Sequence, residues 1–77
     1  MTAVFAKTLV RAGQVRSFQV DYKPADGWES AAWINQDAAE SQRYSDWHRA
    51  ERAVRRFMRE IAELRREGWR EVATPTR

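Results

Sequence analysis

The sequence contains no cysteine and only one histidine, and each shortage excludes a kind of site. Without cysteine the chain forms no disulfide and offers no thiolate to a metal. With His48 as the sole imidazole, a zinc site would take nearly all its ligands from carboxylates, which is unusual. The sequence therefore predicts no metal site and no cofactor.

Glycine is also scarce, and long apolar runs are absent. The three glycines stand singly, which excludes a glycine-rich loop that cradles phosphate groups. No apolar run reaches the ~18 residues of a membrane-spanning helix. The N-terminal residues lack the basic region and long apolar stretch of a signal peptide. We therefore expect a cytoplasmic protein that does not enter a membrane.

Residues grouped for catalysis are equally hard to find. Ser45, Asp46 and His48 are the residue types of a hydrolase triad, but three residues within one helical turn point in divergent directions. No pair of carboxylates stands on an apolar background that would raise the pKa of one of them. We therefore predict that the protein is not an enzyme, and no small-molecule substrate is evident.

The residues that are present predict one small α+β domain over residues 1–77. Its expected fold is a three-stranded antiparallel β-meander followed by one long C-terminal amphipathic helix (β-β-β-α). Apolar and β-branched residues predict strands at Ala3–Val10, Val15–Tyr22 and Trp28–Ile34. Residues 38–43 are assigned to a loop or an early helical turn.

The register of the first two strands stays open, because the loop within Arg11–Gln14 has two possible lengths. Two loop residues pair Phe5 with Val20, whereas three pair Val4 with Val20. A slip of one residue exchanges the two faces of a strand. The sequence therefore does not decide whether Phe5 and Leu9 face the core.

A single apolar stripe predicts the helix. The stripe recurs at spacings of three and four, at Trp47, Ala50, Val54, Phe57, Ile61 and Leu64. Ser45 is the predicted N-cap. Gly68 is expected to end the helix by adopting the left-handed conformation, and Trp69 then packs back on the helix as in a Schellman motif. Residues Trp69–Val72 are a possible short final edge strand, and a frayed tail is expected from about residue 73.

The four tryptophans are a high count for a chain of this length. Trp28, Trp47 and Trp69 are expected to face the core. Trp33 lies on the opposite face of its strand from Trp28. One helix covers one face of a sheet, so Trp28 or Trp33 should remain on an open face, where an apolar patch usually marks an interface.

Twelve of the fourteen basic residues are arginine. Arg49, Arg52, Arg56 and Arg59 line the side of the helix opposite its apolar stripe. This row is either a solvated face or a binding surface. As a solvated face it would form intrahelical ion pairs, which are Glu51–Arg55, Arg56–Glu60 and Arg59–Glu63.

The charge of the helix is arranged against its dipole. Arg43–Arg59 holds six basic and two acidic residues, whereas Glu60–Glu71 holds three basic and four acidic residues. The helix dipole favours the reverse distribution by about 0.3–1 kcal/mol for each well-placed charge. An uncompensated exception of this kind often marks a functional surface.

Two hypotheses account for these features. The first is a non-enzymatic homodimeric interaction module, in which the open sheet face or the helix packs against its own copy. The second is a single-stranded nucleic-acid-binding protein that uses Arg49, Arg52, Arg56 and Arg59 for phosphates and Trp33 for stacking on bases. Against the second, the strand region through Gln42 is net negative, with four basic and five acidic residues.

Overall fold

A computed structural model describes residues 2–74, so residues 75–77 of the predicted tail lie outside the described part of the chain. The fold is α+β, with one antiparallel sheet and one helix. Its elements are β1 (Thr2–Arg11), β2 (Gln14–Lys23), β3 (Gly27–Ile34), β4 (Asp37–Tyr44), α1 (Trp47–Arg66) and β5 (Arg70–Val72). The sheet order is β4-β3-β2-β1-β5. The predicted class is confirmed, but the predicted count of three strands is wrong.

Strand β4 is the element that sequence reasoning misassigned, since residues 38–43 form neither a loop nor a helical turn. The strand lies at an edge of the sheet and is largely exposed, so it has no apolar alternation to reveal it. The preceding turn is built around Asn35, whose φ of 58° is in the left-handed region. The Asn35 Oδ1 atom accepts a hydrogen bond from the Val15 N–H at 3.0 Å. This contact fixes the turn against the start of β2.

The β1–β2 hairpin closes with the shorter of the two candidate loops. Ala12 and Gly13 form it, with φ values of 49° and 79°, as a tight two-residue hairpin turn requires. Phe5 is therefore paired with Val20, and a register irregularity between Ala3 and Phe5 absorbs one extra residue. Phe5 and Leu9 consequently face the helix. The turn conformation, which the sequence left undecided, determines which side chains enter the core.

The core lies between α1 and one face of the sheet. It consists of the buried side chains of Leu9, Phe18, Val20, Ala32, Ala50, Phe57, Ile61 and Leu64. The Phe57 ring centroid lies 5.2 Å from that of Phe18 and 6.4 Å from that of Phe5. Full burial of one such side chain contributes about 1.5–3 kcal/mol. Phe57 therefore joins α1 to β1 and β2.

The predicted N-cap of α1 is wrong, whereas the predicted C-terminal end is correct. Asp46, rather than Ser45, is the N-cap, because its backbone is extended and its carboxylate accepts the Arg49 N–H at 3.0 Å. At the other end the prediction is confirmed. Gly68 has a φ of 97°, and the Trp69 N–H donates to the Leu64 carbonyl at 3.0 Å. This Schellman motif turns the chain into β5, which pairs with β1.

Within residues 2–74, no helix combines the length and the apolar character needed to cross a membrane.

Candidate functional site

A shallow groove of about 670 Å³ runs between α1 and the edge strand β4. We call it the arginine groove, and its lining residues are Gln42, Arg43, Tyr44, Arg49, Arg52, Ala53, Arg55, Arg56 and Arg59. All four helix arginines singled out from the sequence are among them. The groove therefore brings five helix arginines onto one surface, whereas Arg43 borders it from β4 with its guanidinium near Glu29, which lines the opposite face of the sheet.

Two of these six arginines were not in the predicted set. Arg43 lies on β4, so it is next to the helix only because that segment forms an edge strand. Arg55 was assigned to an ion pair with Glu51, and its guanidinium does lie 3.7 Å from that carboxylate. At this distance the pair leaves the Arg55 side chain 69% exposed. Recognition of β4 would have placed Arg43 at the border of the candidate site.

Arg56 has a structural partner. Its two terminal nitrogens donate to the two carboxylate oxygens of Glu40 on β4, at 2.8 and 2.6 Å. These hydrogen bonds lower the pKa of Glu40 and raise that of Arg56. The predicted Arg56–Glu60 pair is not formed, because Glu60 instead accepts a 2.7 Å hydrogen bond from Arg16 on β2.

The remaining arginines of the groove are bound loosely or not at all. Arg49 lies 3.6 Å from Asp46, and its side chain is 70% exposed. The Arg43 side chain, 3.8 Å from Glu29, is 69% exposed. Within residues 2–74, neither Arg52 nor Arg59 has a carboxylate oxygen within 4.0 Å. Most guanidinium donors in the groove therefore face water.

The position of the groove strengthens its positive potential. It flanks the N-terminal part of α1, where the helix dipole places a partial positive charge. The first helical turn contains no acidic residue. On β4, the carboxylate of Glu40 is already engaged by Arg56. Because Asp46 already caps the helix N-terminus, an anionic ligand would chiefly compensate the arginine charges.

Trp33 lies on the other side of the sheet. It is paired with Ser17 on β2 and Ala38 on β4, whereas Trp28 packs with the core beneath α1. The face bearing Trp33 forms a second, wider hollow of about 1100 Å³, which we call the open-face groove. The sequence correctly separated the two tryptophans, but the structure does not bring Trp33 together with the helix arginines.

Three other aromatic side chains lie on the same side of the sheet as α1. The Trp28 ring centroid is 5.1 Å from that of Tyr22 and 6.0 Å from that of Trp47. Trp47 was predicted to be a core residue, but it is 42% exposed because it is the first residue of α1 and lies at the margin of the core. Tyr22 is 36% exposed. We call Tyr22, Trp28 and Trp47 the aromatic cluster.

The described residues do not group into a metal site, since no three His, Cys, Asp or Glu side chains among them are placed to hold one ion. Comparison with models of protein families, with curated proteins and with solved structures finds no match to this chain. The candidate site is therefore defined by its own geometry.

Proposed function

We propose that the protein binds nucleic acid, with the arginine groove holding the phosphate backbone. The observation that carries this proposal is the convergence of five helix arginines on one groove in which, among residues 2–74, only Arg56 has a close bidentate partner. Guanidinium groups match phosphate oxygens through paired, planar hydrogen bonds. Release of counterions from the phosphate backbone adds a favourable term that depends on salt.

The ion pairs that acidic residues of α1 already form within the chain favour nucleic acid as the ligand over a second copy of the helix. An antiparallel helix pair would set the basic half of one α1 against the acidic half of the other. Two of the acidic groups there already have partners within the chain, since Glu60 binds Arg16 and Glu63 binds Arg66, whereas Glu67 at the helix end has no cation within 4.0 Å among residues 2–74. A helix dimer would compete with these ion pairs, whereas a phosphate backbone supplies new negative charge.

Titration of a fluorescently labelled oligonucleotide at several salt concentrations tests the proposal. Arg52→Gln and Arg59→Gln each remove one charge from the groove and leave the Arg56–Glu40 pair intact. Each change should weaken binding and reduce the salt slope by about 0.7 for every phosphate of a single strand that is no longer neutralised. Arg66→Gln is the matched control, because it removes the same charge from the same helix outside the groove.

The outcome is read from the difference between the groove variants and this control. Equal, small effects of Arg52→Gln and Arg66→Gln would show only a decrease in net charge and would reject the groove as the site. Failure of the unaltered protein to bind any oligonucleotide at low salt would reject the function.

A second candidate function is a homodimeric interaction module, favoured by the open-face groove. Its lining combines the half-buried Trp33 with small side chains such as Ala31 and Ser17. Both signs of charge occur there, including Asp21 and Lys23, so a two-fold axis can set unlike charges of two copies against each other. A dimer formed on this face would leave the arginine groove exposed.

Light scattering over a dilution series tests this second candidate. A dimer has twice the 9.1 kDa mass of the chain, about 18 kDa. Trp33→Glu should return it to the monomer mass, because an isologous contact places two copies of the new charge in the same interface. A constant 9.1 kDa mass at every concentration would reject the dimer.

A further inference from the structure

We infer that the arginine groove takes single-stranded nucleic acid, with an unpaired base stacked on Trp47 of the aromatic cluster. This inference rests on the proposed function and adds the class of nucleic acid to it. Its starting point is the exposed part of an aromatic side chain at the first residue of α1, at the same end of the helix as Arg49.

In the aromatic cluster the central ring packs on the core, and the two outer rings are partly exposed to water. Trp28 packs against the core and contacts both outer rings, with centroid distances of 5.1 Å to Tyr22 and 6.0 Å to Trp47. Trp47 is 42% exposed and Tyr22 is 36% exposed. A ring held against a fixed neighbour, with much of its surface in water, suits stacking of a planar base.

The cluster adjoins the arginine groove through β4. Tyr44, at the end of that strand, is paired with Trp28 and also lines the groove. Trp47 and Arg49 both lie in the first turn of α1, with one residue between them, so their side chains leave the helix on nearly opposite sides. From Arg49 to Arg59 the helix rises by about 15 Å, the length of a few nucleotides along one strand. A strand bound along these arginines reaches Trp47 by passing over the first turn of α1, so we place the stacked base beyond the Arg49 end of the groove.

Stacking on Trp47 requires an unpaired base. In a duplex each base is paired and covered on both faces by its neighbours, so a side chain cannot reach its ring surface. A single strand offers the face of every base, and stacking on it depends little on the identity of the base. Arginines alone bind phosphates of either form, so the aromatic cluster is the feature that selects the single strand.

The test uses three labelled probes of about twelve nucleotides, a length within the range that one small domain covers. They are an oligothymidine strand, an abasic strand of equal length and a duplex. The unaltered protein should bind oligothymidine about ten-fold more tightly than the abasic strand, because only the former can stack. Trp47→Ala should remove this difference and leave the salt slope unchanged, since it removes no charge.

Two further variants complete the design. Trp33→Ala, on the opposite face, should keep the preference for oligothymidine. Trp47→Leu, which keeps an apolar side chain next to Trp28 but has no ring to stack on a base, should lose it, and this variant covers the case in which Trp47→Ala impairs folding. Equal binding of oligothymidine and the abasic strand by the unaltered protein would overturn the inference, as would a preference that persists in both Trp47 variants. In either result, weaker binding by Arg52→Gln would still support the proposed function, whereas absence of binding to all three probes would reject both.

Discussion

Arg56 and Glu40 form a two-armed ion pair that joins the middle of α1 to the edge strand β4. The pair takes the place of the intrahelical contact between Arg56 and Glu60 that sequence spacing suggested. It crosses the space between helix and sheet next to the arginine groove, where both residues are partly exposed. One of the five helix arginines in the groove thus positions the edge strand, and the other four remain accessible to a ligand.

The strength of this ion pair can be measured with a double-mutant cycle. Arg56→Gln, Glu40→Gln and the double variant should give a coupling of about 0.5–1 kcal/mol, at the upper end for exposed pairs because the contact is bidentate. Urea unfolding supplies the free energies. The Arg55–Glu51 pair, at 3.7 Å, is the control and should give less than about 0.5 kcal/mol. Equal couplings for the two pairs would contradict the structural role given to Arg56.

Stability should fall in acid because three glutamates have lowered pKa values in the folded state. Hydrogen bonds from Lys23, Arg56 and Lys7 lower the pKa values of Glu29, Glu40 and Glu71, respectively, below the ordinary value of 4.5. A carboxyl whose pKa is lower in the folded state stabilises the fold above its unfolded pKa, and this contribution is lost as the pH falls through the folded pKa. The urea midpoint should therefore be steady from neutral pH to about pH 5 and decline below it.

The three glutamates can be tested together as the source of that decline. A variant with Glu29→Gln, Glu40→Gln and Glu71→Gln should be less stable at neutral pH and should lose less stability on acidification. An unchanged acid profile in this variant would assign the decline to other groups.

Gly13 and Gly27 both have positive φ, but their surroundings differ. An added Cβ at Gly13 has no atom within 4 Å, so Gly13→Ala should cost about 1 kcal/mol from the left-handed backbone alone. An added Cβ at Gly27 would overlap the carbonyl oxygen of Tyr44 on the neighbouring strand β4. Thermal unfolding should show a clearly larger loss for Gly27→Ala. Similar losses would mean that β4 does not pack as closely on β3 as the structure has it.

Adjacent helix residues test the position of the core. Phe57 is fully buried, whereas Met58 is 57% exposed. Phe57→Ala should cost about 3–5 kcal/mol, and Met58→Ala should change stability by less than about 0.5 kcal/mol. Chemical denaturation of the two variants measures the difference. A large effect of Met58→Ala would indicate that the outer side of the helix is covered in solution.

Local chemistry made much of the fold predictable. The spacing from Ala50 to Leu64 indicated the helix, and Gly68 with Trp69 indicated its Schellman end, because each depends on neighbouring residues only. Alternation indicated the first three strands in the same way. Strand β4 was not predicted from the sequence, because this exposed edge strand has neither a buried face nor a row of β-branched residues.

The candidate site was only partly predictable. Helical spacing was enough to group Arg49, Arg52, Arg56 and Arg59, since residues three and four apart share one side of a helix. Assignment of Trp33 to the same site was not supported, because a sheet face depends on long-range packing that the sequence did not specify. The exposure of Trp47 was missed for the same reason: an apolar stripe indicates the direction of a side chain but not where the sheet beneath it ends.

The most direct test of the proposed nucleic-acid site is a map of backbone amide chemical shifts as oligothymidine is added to the isotope-labelled protein. We predict that the largest changes occur along the arginine groove and at the start of α1, at Gln42, Arg49, Arg52 and Trp47. Amides around Trp33 on the open face should change little. Changes centred on Ser17, Ala31 and Trp33, or no changes at low salt, would contradict the claim that the arginine groove is the nucleic-acid site.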